Sequence, residues 1–440
     1  MKNALVLFFI SFSLAVFCQT DDIESRIKKL EETLARQSQT ITDQQKLIDE
    51  LKAELGVLKE QKTGLETAAA PAKEAAREGL KSSGLFGSSS LMNPNVSVVM
   101  NSFAYSSGLK AAELERRSIP GYTTEPQERE KGFNIEAAEL YIYAPVDPYF
   151  NFYTTIPVTE DGAEVEEAYV VTTAIPHGIQ LKGGKFKSSF GRLNSQHSHV
   201  WDFAEAPVAY RAFLGGEGFC DKGASVSYIP PTPFYLSLGA EIFQGDNDLL
   251  FGKGAKNGPH ACSIYAKTSF DLGKHSSILT GVSMLRGYTL TETALEDSVF
   301  RGKSSLYDFE FTYKWKRSKF KGFTLQGEYM LRAQEGTLLR AASADDLRRD
   351  QDGFYLQAVY FFGDGRWKTG LRYDRLAVFN DRFRLGPEEL APGGDPYRIS
   401  AMAEYNPTEF SRIRLQYNHD RSSGGGKTNR EFILQFIFGI

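Results

Sequence analysis

The chain lacks a hydrophobic run long enough to cross a bilayer as a helix, which requires about 20 apolar residues. Its main apolar run, residues 4–10, is much shorter. The mean hydropathy of −0.34 also argues against a helical membrane protein. It does not argue against a membrane β-barrel, because only alternate residues of each strand face lipid.

Cysteine, strong net charge and enzyme signatures are scarce as well. The chain has three cysteines and a net charge of −4, which does not indicate a nucleic-acid partner. Cys220 and Cys262 fall on predicted strands that are not neighbours, so we expect no disulfide between them. No Cys–His metal spacing, Gly-x-Ser-x-Gly elbow, P-loop or His-Glu-x-x-His helix occurs. We predict no enzymatic activity and no cofactor.

Residues 1–18 have the layout of a secretory signal peptide: Lys2, a short apolar stretch and a candidate cleavage site after Cys18. Lipidation of Cys18 is the alternative. Export without a later hydrophobic helix points to a bacterium with two membranes.

Residues 19–66 carry a heptad pattern that predicts a periplasmic α-helical coiled coil. Its seam positions are mostly Ile or Leu: Ile23, Ile27, Leu30, Leu34, Gln37, Ile41, Gln44, Ile48, Leu51, Leu55 and Leu58. A helical spacer without a role in oligomerisation is the alternative. Residues 67–94, rich in Ala, Gly and Ser, predict a flexible linker.

Between residues 95 and 440, apolar and polar residues alternate, as where Phe432, Leu434 and Phe438 share one strand face. The pattern predicts sixteen strands near 95–105, 133–145, 148–160, 163–174, 177–187, 219–230, 233–244, 260–271, 275–286, 301–316, 321–334, 351–363, 366–379, 395–407, 408–420 and 427–440. We predict an all-β fold, a 16-stranded antiparallel transmembrane β-barrel at 95–440 preceded by the coiled coil. A soluble β-rich protein is the alternative.

Short and long connections alternate along these strands, as they do in bacterial outer-membrane barrels. The long ones are 106–132, 188–218, 245–259, 287–300, 335–350 and 380–394. An even strand count places both barrel ends on the periplasmic side. Arg or Lys facing lipid at mid-membrane would cost about 2–4 kcal/mol each, so the polar faces must point inward. The pattern therefore predicts a water-filled lumen.

Residues 180–191, QLKGGKFKSSFG, resemble a strand-and-turn motif of the phosphate-selective porins O and P, with Ser189 where that family commonly has Pro. The order of signal peptide, coiled coil and sixteen-strand barrel is similar too. A subgroup that continues FGRLN, then His197 and His199, is loosely labelled zinc-regulated outer-membrane protein, a label that concerns regulation. The resemblance implies a homotrimer and a 188–218 connection that folds into the lumen.

Folded inward, that connection would form a constriction. Its candidate residues are Arg192, His197, His199, Asp202, Glu205 and Arg211. The predicted pore lining opposite comprises Arg372, Arg398, Arg412, Arg414, Glu310 and Glu328. A basic stripe facing an acidic loop would sort small ions and would suit phosphate.

Two interpretations of this stripe remain open: an anion-preferring pore, or ordinary arginines paired with neighbouring carboxylates in a weakly selective pore. Residues 95–440 hold 39 basic and 42 acidic residues, which favours the second. His197 and His199 are weak candidates for metal ligands, since their side chains would point the same way in an extended segment. Hydrogen-bonding or exposed histidines are the more usual case, so no metal site is predicted.

Together these patterns predict an outer-membrane porin. It would pass small hydrophilic solutes or small anions passively as a homotrimer in outer-membrane lipid. The coiled coil would extend into the periplasm, where it could touch peptidoglycan. The alternative function is a structural tether or adhesin-like anchor in which the coiled coil is the working part.

Overall fold

The computed structural model describes residues 94–440 except 116–121, 123–128, 248, 253, 293–297, 341–342, 380–382, 386–387, 391–395 and 423–426. The predicted signal peptide, coiled coil and linker lie outside the described residues. Within them, no helix is both long and apolar enough to cross a membrane.

Sixteen strands form the barrel wall, which confirms the predicted number. They are β1 (Asn95–Ser107), β2 (Gly132–Asp147), β3 (Phe150–Thr159), β4 (Glu167–Thr172), β5 (Ile179–Lys187), β6 (Cys220–Tyr228), β7 (Tyr235–Phe243), β8 (Ala261–Asp271), β9 (Ser276–Glu292), β10 (Ser298–Ser318), β11 (Lys321–Arg340), β12 (Ala344–Phe362), β13 (Trp367–Leu376), β14 (Tyr397–Thr408), β15 (Ser411–Asp420) and β16 (Asn429–Gly439). Each pairs antiparallel with its sequence neighbours, and β1 pairs with β16 to close the sheet.

A few short elements accompany the wall. Gly162–Ala163 prolongs the β3 pairing, and Phe383–Leu385 and Glu388–Leu390 form a small hairpin beside β12. Two short α-helices, α1 (Ala111–Glu115) and α2 (Val208–Leu214), and one 3-10 turn, Ser198–Val200, occur in long connections of the described residues. Cys220 on β6 and Cys262 on β8 are free, as expected from their strands.

The strands β9 to β12 are longer than predicted. They have 17, 21, 20 and 19 residues, whereas a membrane crossing needs about 9–11. The expected long connections 287–300 and 335–350 are therefore wrong, since pairing continues to Glu292 and Arg340. In these extensions the inner face stays buried, as at Phe300 and Leu338, while the outer face carries charged residues such as Arg301, Lys303 and Glu335. The apolar alternation that identifies a membrane strand therefore stops while backbone pairing continues.

The outer surface of the barrel is apolar, as the alternation predicts. On β16, Phe432, Leu434 and Phe438 are exposed, while Glu431 and Gln435 are buried toward the inside. Ile433 departs from the expected polar inner face, because it points inward and is fully buried.

The connection between β5 and β6 packs inside the barrel. This inserted segment, residues 188–219, crosses the barrel and carries α2. Its apolar side chains join inward-facing wall residues in one core: Tyr122, Phe186, Phe190, Leu193, Trp201, Ala206, Val208, Ala209, Tyr210, Ala212, Phe213, Leu214, Phe219, Phe243, Leu250, Phe251, Ala261, Leu285, Leu306, Met330 and Leu376. The expectation of a lumen filled by water throughout is therefore wrong on this side of the barrel. Leu285 and Leu306 can face inward because the inserted segment covers them.

The apolar outer surface predicts a depth-dependent cost of charge. Val282 in mid-strand and Leu272 in a short turn are similarly exposed, 55% and 54%. In lipid, Val282→Arg should lower the free energy of unfolding by about 2–4 kcal/mol and Leu272→Arg by about 0–1 kcal/mol, because only the first places a cation within the hydrocarbon. Denaturant unfolding of vesicle-refolded protein, followed by tryptophan fluorescence, measures both. Equal effects would contradict a bilayer around the strands.

Candidate functional site

The inserted segment enters the barrel through a turn held by a carboxylate. Glu328 on β11 accepts hydrogen bonds from the backbone N–H of Arg192 (2.8 Å) and of Leu193 (3.0 Å). Gly191 adopts φ +59°, and a Cβ there would collide with Glu328 Oε2. Glu328, predicted as a pore-lining residue, thus binds the base of the inserted segment.

Asn194 ties the two ends of the inserted segment together. Its Nδ2 donates to the carbonyls of Ser188 (2.8 Å) and Phe219 (3.0 Å), and its Oδ1 accepts from the Phe219 N–H and the Tyr210 hydroxyl. The residue is fully enclosed. Sequence reasoning missed Asn194, because no spacing rule links it to residues on both sides of a 32-residue connection.

The four predicted stripe arginines all reach the far side of the inserted segment. Each donates to a backbone carbonyl there: Arg372 to Glu205 (2.8 Å), Arg398 to Ala206 (2.5 Å), Arg412 to His199 (2.8 Å) and Arg414 to Trp201 (2.7 Å). Arg372, Arg398 and Arg414 are at most 2% exposed. These guanidinium groups therefore hold protein and do not face open space.

Carboxylates neutralise the same arginines. Glu404 lies 2.7 Å from Arg414 and 3.4 Å from Arg412, and Asp374 lies 3.2 Å from Arg372 and 3.3 Å from Arg398. The contacts match the interpretation that paired them with neighbouring acids.

Glu205 of the inserted segment is the acidic centre of this contact. Its carboxylate lies 2.6 Å from Arg129 and 3.1 Å from Arg398, and it accepts a hydrogen bond from Asn418 (2.7 Å). Burial alone would raise the pKa of Glu205, but Arg129 and Arg398 outweigh it and lower the pKa to about 2. Glu205 is therefore charged at neutral pH.

The remaining predicted residues are Arg211, Asp202 and Glu310, and the charge of Arg211 helps to lower the pKa of Glu205. Arg211 lies on α2, and Asp202 is 3.8 Å from Lys368 in a half-exposed pair. Glu310 is enclosed beside Asp308, and its Oε2 is 3.1 Å from Lys267 Nζ.

A cavity of about 560 Å³ remains between the inserted segment and the opposite wall, β2 to β5. Its lining is Glu136, Ala137, Glu139, Pro157, Thr159, Asp161, Gly162, Ala163, Glu164, Glu166, Lys185, Lys187, His197, Ser198, Trp201, Gly216, Glu217, Gly218, Cys220 and Asn247. Six of these residues are acidic, against two lysines and one histidine. Next to the cavity, the inner wall carries the half-exposed Tyr143, Tyr153 and Tyr169. The ring of Tyr153 lies 5.1 Å from the ring of Tyr143 and 5.1 Å from the ring of Tyr169.

His197 lines this cavity from the inserted segment, and the ring of His199 lies 5.8 Å from that of His197 and nearly parallel to it. His197 Nε2 lies 2.8 Å from Glu167 Oε2, and its Nδ1 lies 3.4 Å from Glu166. Burial would lower the pKa of His197, but Glu166 and Glu167 outweigh it and raise the pKa to about 10. Sequence reasoning found both histidines and missed the glutamates, which belong to other parts of the wall.

The comparison with known proteins sets the family. Over 374 aligned residues the chain is 41% identical to an uncharacterized protein of Aquifex aeolicus (strain VF5), with 79% of this chain and 78% of that protein covered. The chain belongs to the same family as that protein. No family model matches it.

Solved structures show the fold. The outer membrane channel DcaP of Acinetobacter baumannii has a TM-score of 0.51 at 11% identity, with 81% of this chain and 99% of that chain covered. The anion-selective porin from Comamonas acidovorans has a TM-score of 0.49 at 10% identity, covering 79% and 100%. The likeness to DcaP shows that the wall has the architecture of a porin barrel.

The Glu205 contact predicts that its loss loosens the inserted segment. Glu205→Gln leaves the half-buried Arg129 and the buried Arg398 without their shared carboxylate, at a cost of about 3–5 kcal/mol. Hydrogen exchange in peptides covering residues 201–207 should accelerate by about a hundredfold or more. Asp202→Asn, in the half-exposed pair with Lys368, is the matched control and should change exchange little. Unchanged exchange in Glu205→Gln would refute the anchoring role.

The ion pairs of Glu205 should remain intact in mildly acidic solution. The pKa of Glu205 is about 2 in the folded protein against an ordinary value of 4.5. Its stabilising contribution is therefore complete above about pH 4.5 and is lost as the pH falls toward 2. Exchange in residues 201–207 should rise over that window in the wild type, and this Glu205-dependent rise should be missing in Glu205→Gln. A rise between pH 7 and 5 would contradict the assignment.

Proposed function

We propose that the protein is an outer-membrane diffusion channel for small hydrophilic solutes. The observation that carries this proposal is a closed sixteen-strand barrel with an apolar outside and a charged cavity left between its wall and the inserted segment. Such a wall suits a bilayer, and a polar space inside it suits water and solutes. No cofactor or energy source is needed for this activity.

The permeation path runs along β2 to β5. On the other side, the apolar core and the arginine contacts fill the space between the inserted segment and the wall. Half-exposed Tyr143, Tyr153 and Tyr169 continue the path from the cavity toward the end of the barrel with short turns. Their rings offer flat surfaces along which small polar solutes can pass.

The charge of the path favours cations and neutral polar solutes. The cavity lining is acidic, whereas the stripe arginines are held by Glu404, Asp374 and backbone carbonyls. A preference for anions or phosphate rests on the resemblance to porins O and P, and the contacts of the arginines give it less support. We therefore propose a weak cation preference.

The assembly and location are part of the same proposal. The heptad pattern and the porin resemblance support a homotrimer whose coiled coil lies in the periplasm near peptidoglycan. The alternative tether or anchor function would leave the barrel without conductance.

Planar-bilayer recording in EDTA tests the channel and its selectivity. We expect stepwise conductance and a reversal potential under a KCl gradient that indicates K⁺ preference. Asp161→Asn/Glu164→Gln, which removes two charges from the cavity lining, should reduce the permeability ratio by roughly twofold at low salt. Asp364→Asn, in a short turn where Asn also tolerates φ +59°, is the matched control.

The outcomes separate the interpretations. A silent barrel that is correctly folded would refute the channel and favour the tether. Marked Cl⁻ or phosphate preference would refute the acidic path and restore the anion interpretation. An equal loss of selectivity in Asp364→Asn would show that the cavity charges are not the cause.

A further inference from the structure

At the edge of the cavity, histidine nitrogens and glutamate oxygens lie slightly too far apart for ordinary hydrogen bonds. His197 Nδ1 lies 3.4 Å from Glu166 Oε2 and 3.6 Å from Glu139 Oε1, and His199 Nδ1 lies 3.4 Å from Glu139 Oε2. Hydrogen bonds between N and O usually measure 2.7–3.2 Å. Within the described part of the chain, the buried His199 Nδ1 has no hydrogen-bond partner at all.

These separations match ligand atoms around one small metal ion. Zinc binds His nitrogen and carboxylate oxygen at about 2.0–2.2 Å, which places neighbouring ligands of a tetrahedron about 3.3–3.6 Å apart. Ligand atoms of Glu139, Glu166 and His197 all lie within 4.8 Å of one another. His199 is the fourth candidate, since its Nδ1 lies 3.4 Å from the second oxygen of Glu139.

The surroundings of His197 are those of a metal ligand. Its other ring nitrogen, Nε2, lies 2.8 Å from Glu167 Oε2, so that carboxylate fixes the ring and leaves Nδ1 facing Glu139 and Glu166. A histidine that ligates a metal commonly donates its second N–H to a carboxylate in this way. Lys187 Nζ lies 2.7 Å from Glu166 Oε1 and orients that side chain.

Charge balance also fits a divalent cation. Glu139, Glu166 and Glu167 bring three negative charges, and Lys187 returns one positive charge. A bound ion displaces the proton from the histidine nitrogen that it binds, and with neutral histidines the group then carries two negative charges. Imidazole ligands favour zinc-like metals over calcium or magnesium, which prefer oxygen ligands only.

We propose that His197, Glu139 and Glu166, with His199 as the fourth ligand, form a binding site for a zinc-like divalent cation. The site would join the inserted segment to β2 and to the residue preceding β4. A bound ion would fix the segment against the wall of the cavity. Glu167 acts as a positioning residue that orients His197.

Zinc titration of the full-length protein in detergent, stripped with EDTA and then freed of chelator, tests the proposal. Calorimetry with zinc chloride and metal analysis should show one ion per chain. Glu139→Gln and His197→Ala should weaken binding by a hundredfold or more, and Glu167→Gln by about 10–100-fold. His275→Ala, at an exposed turn, should bind as the wild type does, and calcium chloride should not compete.

Geometry and folding have their own readouts. Cobalt(II) in the stripped protein should give the intense visible absorption of a tetrahedral complex, lost in Glu139→Gln. Heat-dependent mobility in SDS gels shows whether each variant forms the barrel. Folded Glu139→Gln and Glu166→Gln proteins that bind zinc like the wild type would overturn the proposal, as would a folded wild type that binds none. Because conductance is recorded in EDTA, neither result bears on the channel itself.

Discussion

The closure of the sheet is the constraint on which the rest of the structure depends. A bilayer offers backbone N–H and C=O groups no hydrogen-bond partners, so every strand must pair on both sides. β1 and β16 meet that requirement by pairing with each other over residues 99–107 and 431–439. Closure fixes which side chains face outward and which face inward. It also brings β13 to β15 opposite the point where the inserted segment ends its crossing.

The inserted segment also has backbone groups that need hydrogen-bond partners, because its irregular carbonyls are not paired with a neighbouring strand. The arginines of β13 to β15 supply such partners. Arg372, Arg398 and Arg414 each spread several donors over a backbone carbonyl and a carboxylate. The planar fork that makes arginine a good phosphate ligand makes it equally good at binding protein oxygen atoms. Arginine on an inner wall is therefore not by itself an indication of anion transport.

The strands could be predicted from the sequence only where their outer face is apolar. All sixteen strands could be predicted, because lipid imposes a period of two on each membrane crossing. The extensions to Glu292 and Arg340 could not, since their outer face carries charged residues such as Arg301 and Lys303 in place of alternating apolar ones. The position of the inserted segment followed from a family resemblance. The apolar core that this segment forms with Phe190, Phe213 and Phe219 could not be predicted, because an irregular backbone has no periodic sequence pattern.

The candidate site shows the same division at the level of single residues. His197 and His199 were visible as a pair, since two residues of one extended segment share a face. Glu139 on β2 and Glu166, just before β4, approach His197 only in the folded barrel, and no spacing in the chain encodes that meeting. The arginine side of the inserted segment is neutralised by its contacts, and the opposite side keeps an acidic surplus. Selectivity of the proposed channel should therefore depend on the carboxylates that the inserted segment leaves unpaired, and not on the total charge of the inner wall.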